Sequence, residues 1–195
     1  VTGEEKGLLG SGYYAAHPLY PLAKTVANLN VDAWIPYGPQ KDFTIRGTAK
    51  LDLTDDLIAE GKRQGRYFTA DPHPETGGFY RSDHFSFAKQ GVPAVSFSQG
   101  LDLVNGGKAR GEAISTDYNS KHYHQPSDKW QADWDWTGVA QNAELLHQVG
   151  LRLANSREWP NWGSDSEFRA IRDKSASERS KAPAGSLKGE RGQAD

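Results

Sequence analysis

Two adjacent carboxylates, Glu4-Glu5, are the first residues with chemistry in reach. Neighbouring side chains leave the backbone in different directions, so one can bind a metal while the other acts as general base toward an activated water. A nearby cation also removes the like-charge penalty of placing the pair together. A plainer reading competes, because Thr2-x-x-Glu5 spells a capping box with acids on a helix dipole. Asp32 closes an alternating segment, where an aspartate either faces a site at a sheet edge or ends a turn. Ser82-Asp83-His84 precedes a short helical segment, and its simplest role is an N-cap. In His122-Tyr123-His124 the two imidazoles share a face if the backbone is extended, and both can then approach a metal. Pro126-Ser127-Asp128 explains only an ordinary turn beyond them, and His73 and His147 read as a loop and a helix-surface histidine.

Composition narrows the classes around those residues. The 195 residues contain no Cys, which excludes a disulfide scaffold, a thiolate metal site and a Cys nucleophile. Twenty-three Lys+Arg balance 25 Asp+Glu, so neither nucleic acid nor an anionic membrane is an expected partner. No run approaches the ~18 apolar residues of a membrane helix. Gly7, Gly10 and Gly12 lack dinucleotide-loop spacing, and no Gly-x-Ser-x-Gly is present. The six Trp and eight Tyr lack the basic stripe of a nucleic-acid platform. Met is also absent, and Val1-Thr2-Gly3-Glu4-Glu5 reads as mid-domain sequence.

These candidates need elements to hold them. Val1-Thr2 reads as the tail of a strand, followed by a helix across residues 7–16 that closes near His17-Pro18. Residues 26–32 and Phe43-Thr44-Ile45 are strand candidates. Thr54 to Lys62 is predicted as a helix with Thr54 as N-cap. A turn-rich stretch covers 71–78, a short helix covers 83–90 up to Gly91, and 92–97 reads as a buried strand. Residues 99–129 show little periodicity and read as a long loop. The clearest helix carries Trp136, Val139, Ala140, Ala143, Leu146, Val149, Gly150 and Leu153 on one face. Strands alternating with helices predict an α/β sandwich over residues 1–162, and 163–195 is expected to be a charged, disordered tail.

Taken in order, the segments resemble metallopeptidase family 28, the co-catalytic zinc aminopeptidases that include bacterial leucyl aminopeptidase. Val1 to Ser11 is similar to its strand–Glu-Glu–helix signature, and Asn30-Val31-Asp32 to its metal-binding aspartate segment. Arg81-Ser82-Asp83-His84 with Gly91-Val92-Pro93-Ala94 resembles its Ser-Asp-His block, and Tyr123-His124-Gln125-Pro126-Ser127-Asp128 its last metal histidine. The resemblance implies a zinc-exopeptidase fold, a three-layer sandwich on a mixed, mostly parallel sheet, and a peptide substrate. It implies Glu4 as general base, Glu5 and His124 on one zinc, and Asp32 on the second. Asp83, His84, Tyr123 and Arg81 would orient ligands or substrate from behind. It also implies a periplasmic or secreted setting.

The pattern departs from the family in one respect. A His-x-Asp segment and an aspartate bridging both metals are absent, leaving Glu5, Asp32 and His124 as too few ligands for two zincs. The expectation is therefore the C-terminal part of a catalytic domain, with first strands missing, an apolar sheet edge exposed, and an inactive isolated chain that needs the N-terminal half as partner. Glutaminyl cyclases, dipeptide-releasing or carboxypeptidase-type relatives, and a non-catalytic scaffold are the rival readings on the same fold.

Overall fold

Four short strands form one mixed sheet in the order β1-β4-β2-β3: β1 (Asn28–Val31), β2 (Asp42–Ile45), β3 (Tyr67–Thr69) and β4 (Ala94–Gln99). β1 pairs parallel with β4 and β2 parallel with β3, while β2 and β4 are antiparallel. This computed structural model describes residues 1–48 and 50–179, so the expected tail from Ser180 onward lies outside the described residues. The central strands β2 and β4 are buried on both faces along most of their length, as a sheet covered by helices on each side requires. α1 (Leu9–Ala16) packs on α3 (His84–Ala88), which lies against β1 and β4. α2 (Asp52–Arg63) packs on α5 (Thr137–Asn155) and covers β2, β3 and β4. The result is the expected α/β three-layer fold. No helix is long and apolar enough to cross a membrane among the described residues.

The core centres on Phe43 of β2, whose ring stacks on Phe97 of β4 at 5.6 Å. Leu53 and Leu57 of α2 and Leu145 and Val149 of α5 close over it, each removed from solvent. Burying each such side chain is worth about 1.5–3 kcal/mol.

α5 forms where its periodicity predicts, but it is rotated. Gly138, Asn142, Leu145, Val149 and Leu153 face inward, while Ala140 and Ala143 are exposed. The cause is polar. Asn142 accepts a hydrogen bond from buried Arg66 (2.7 Å) and donates to Gln40 (3.3 Å), and Arg66 also reaches the Asp42 carbonyl at 2.8 Å. Gly138 is required there, since a Cβ would sit 2.0 Å from the Gly38 carbonyl oxygen. Apolar periodicity does not count an asparagine as core.

α2 starts before Thr54, because Asp52 pairs with Asn161 in both directions at 3.0 Å and Leu51 is extended. The stretch 99–129 is not a loop throughout: α4 (Gly107–Lys121) runs through it. Only Gly111 of α4 is buried, so no apolar stripe marked the helix. The boundary expected at Trp162 also shifts. Trp162 and Phe168 are buried and their rings pack at a tilt with centroids 4.9 Å apart, and α6 (Arg169–Lys174) docks through buried Arg172. Its guanidinium donates to the carbonyls of Thr25 (3.0 Å) and Val26 (3.3 Å), so the charged segment up to Arg179 belongs to the body.

Candidate functional site

Glu4 and Glu5 sit in a single 3-10 turn, Glu4–Lys6, bounded by Gly3 (φ +75°) and Gly7 (φ +96°). Val1-Thr2 does not extend a strand: the Thr2 carbonyl accepts the Gly10 N–H at 2.8 Å, folding the chain back over α1. α1 consequently begins at Leu9, two residues later than predicted. No side-chain cap bonds form at either the turn or α1, so Thr2-x-x-Glu5 is not a capping box here. Glu5 points elsewhere, and its Oε1 lies 2.7 Å from Nε2 of His124, 119 residues away in sequence.

His124 is delivered by the turn after α4. Its φ is +59°, and Leu8, which directly precedes α1, has the same value. These are the only non-glycine residues with positive φ among the described residues, a conformation costing about 1–3 kcal/mol each. Tyr123 stacks on the imidazole at 3.8 Å and fixes its plane. His122 does not share the site, since α4 continues to its edge and the backbone is not extended. Its Nδ1 meets Ser127 Oγ at 2.9 Å and its Nε2 lies 3.6 Å from Asp117, while Tyr118 donates to Asp128 at 2.7 Å. These bonds staple the turn that holds His124.

Asp32 directly follows β1. Buried Ser82 is not an N-cap; it takes a hydrogen bond from Asn30 (2.9 Å) and gives one to Asp32. Asn30 and Asp32 are two apart on a strand end, so their shared face was available to sequence reading; the partner Ser82 was not. Asp83 has one carboxylate oxygen buried with no hydrogen-bond partner. His84 is fully buried edge-on to Phe79 at 4.8 Å, facing the core.

The field around this cluster is negative. Burial, then Asp32, Glu5 and Asp83 push the Glu4 carboxyl above its ordinary range, with His124 opposing. Asp32 is raised by burial, Glu5 and Asp83, against the Ser82 hydrogen bond and Arg46. Burial and the Glu5 and Asp32 charges raise the Tyr123 hydroxyl, which stays a donor, although Arg81 pulls the other way. Four repelling carboxyls with one orphaned oxygen are a donor set that suits a hard or borderline cation such as zinc. They are short in number, for no three carboxylate or imidazole groups converge on one metal position among the described residues.

His84 has a separate signature. Burial lowers its pKa from 6.5 to about 4, only partly offset by the Phe79 backbone. The unfolded chain therefore binds the extra proton first, and stability is present above pH 6.5 and lost as pH falls toward 4. Between about pH 7 and about pH 5 this should cost ~2 kcal/mol. Urea unfolding of His84→Phe, which cannot titrate, should lack that part of the acid slope; an unchanged slope would assign it to other groups.

The model of peptidase family M28 matches residues 1–150 of the chain. No curated protein and no solved structure matches it.

Proposed function

The chain belongs to peptidase family M28, a metallopeptidase family, and from that premise we propose that it carries part of the site of a zinc-dependent aminopeptidase. The observation that carries this reading is the 2.7 Å contact between Glu5 and His124, held inside a group of mutually repelling carboxyls. Glu5 and His124 would hold one zinc and Asp32 the second. Zinc bound there would supply Lewis acidity toward a peptide carbonyl and a water. Glu4 takes the water's proton and passes it to the leaving amine, a role that its raised pKa favours. Tyr123 keeps the His124 ring in plane, Ser82 and Asn30 keep Asp32 in place, and Asp83 contributes charge. The ligand count calls for further donors beyond these three, so the 195 residues alone are expected to turn over aminoacyl anilides weakly or not at all.

Zinc titration tests the assignment without relying on turnover. The chain should bind zinc, and Glu5→Ala or His124→Ala should each weaken binding by at least about a hundredfold. Affinity unchanged in both variants would remove the pair from the metal. Robust turnover by this chain with zinc, abolished by Glu4→Gln, would instead show that no further donors are needed. Release of a free N-terminal amino acid, rather than ammonia, would separate an aminopeptidase from a cyclase.

A further inference from the structure

A surface cavity of about 430 Å³ opens beside the two glutamates, between the start of α1 and α3. Glu4, Glu5 and Leu8 line one part of it, and Arg81, Phe85 and Lys89 another. Its size suits a ligand of dipeptide scale. The two cations are not spent on the protein's own acids. Neither Arg81 nor Lys89 has a carboxylate partner among the described residues. The largest charges acting on Glu4 are those of Asp32, Glu5, Asp83 and His124, and Arg81 acts on Tyr123. Lys89 is steadied over the Phe85 ring, its Nζ 5.0 Å from the centroid. Beneath the cavity, buried Ser11 donates to Ser86 at 3.0 Å and locks α1 to α3, so the walls are fixed in advance.

An unpaired guanidinium and an unpaired ammonium in one cavity with two carboxylates form a receptor for a molecule with both charges. We propose that Arg81 and Lys89 bind a carboxylate of the peptide substrate, so that the site prefers substrates with an anionic group close to the cleaved bond. This rests on the peptidase reading of the same site and adds the substrate class. The carboxylate has two possible sources: an acidic side chain at the second residue, or the free C-terminus of a short peptide.

Calorimetry on the metal-free 195-residue chain tests the proposal with two pairs of probes. Alanyl-glutamate amide against alanyl-glutamine amide reports the side-chain source, and alanyl-leucine against alanyl-leucinamide reports the terminal source. The anionic member of at least one pair should bind about tenfold tighter, falling to about twofold or less in the Arg81→Gln, Lys89→Gln double variant. Lys89→Glu should shift the preference toward the neutral member, a change that misfolding cannot mimic. No binding, equal affinities in both pairs, or a preference that survives the double substitution would overturn the proposal. Peptide hydrolysis without carboxylate preference would sink this subsite and leave the peptidase reading standing. A carboxylate preference in a protein that cleaves no peptide would do the reverse.

Discussion

Glu4→Gln should cut kcat on aminoacyl anilides by about 10²–10⁴ in the enzyme with its full ligand set, while zinc affinity and fold stay as they were. The asymmetry with Glu5 makes the prediction sharp. The Glu4 carboxylate has no hydrogen bond or ion pair among the described residues, and its neighbours Asp32, Glu5 and Asp83 all repel it. Glutamine keeps its size, removes one charge from an overcrowded cluster and deletes only the capacity to carry a proton. Stability should hold or rise slightly. Glu5, by contrast, contacts His124, so Glu5→Gln should lose zinc before it loses chemistry. Measured side by side, kcat and zinc affinity should separate the two neighbours. A Glu4→Gln enzyme with more than about a tenth of its activity would show that the proton goes elsewhere.

Trp162→Ala should destabilise the fold by about 3–5 kcal/mol, read as a shift in the urea midpoint. Trp162 is 1% exposed, and its indole N–H donates to the Gly91 carbonyl at 3.0 Å. It packs against Phe168 and against Phe79, whose ring meets His84 edge-on. The backbone Gly163 N–H to Lys50 carbonyl bond (2.7 Å) and the Asp52–Asn161 exchange then tie the same segment to the start of α2. Truncation would leave a cavity and an orphaned carbonyl at once, and α6 would lose its footing. Trp162→Phe should cost less, since it keeps much of the packing and gives up a hydrogen bond worth about 1 kcal/mol. A loss under about 1 kcal/mol for the alanine variant would mean that residues 163–179 are not held by this contact.

How far the sequence led depended on whether a signal was local. β2, β4 and α5 were legible because apolar runs or spacing mark them directly, and α3 because Gly91 closes it. α4 was not, since a helix that buries only Gly111 has no stripe to read. The docking of 163–179 was also hidden, because its charged composition suggested disorder while Trp162, Phe168 and Arg172 supply the anchors. At the site, the order of the motifs picked out Glu5 and His124 before the fold brought them to 2.7 Å. His122 was mispaired, because alternation assumes an extended backbone and His124 has a positive φ. Ser82 gave a cap signal, yet its hydroxyl goes to Asp32, a partner fifty residues away that no local pattern records. Arg81 was marked only by the resemblance, and Lys89 carries meaning only once α1 and α3 face each other.

The slender anchoring of α4 has a dynamic consequence. Its main lodging in the body is Gly111, where a Cβ would stand 2.0 Å from the Leu101 carbonyl oxygen, and beyond it the helix and the stapled turn stand largely in solvent. Such an arm opens at a free energy well below that of global unfolding, so its amides should exchange early and together. Its far end bears His124, whose contact to Glu5 closes the arm onto the rest of the site. Anything that bridges Glu5 and His124 therefore raises the cost of opening, and protection across Gly107–Lys121 becomes a gauge of occupancy between the arm's tip and Glu5.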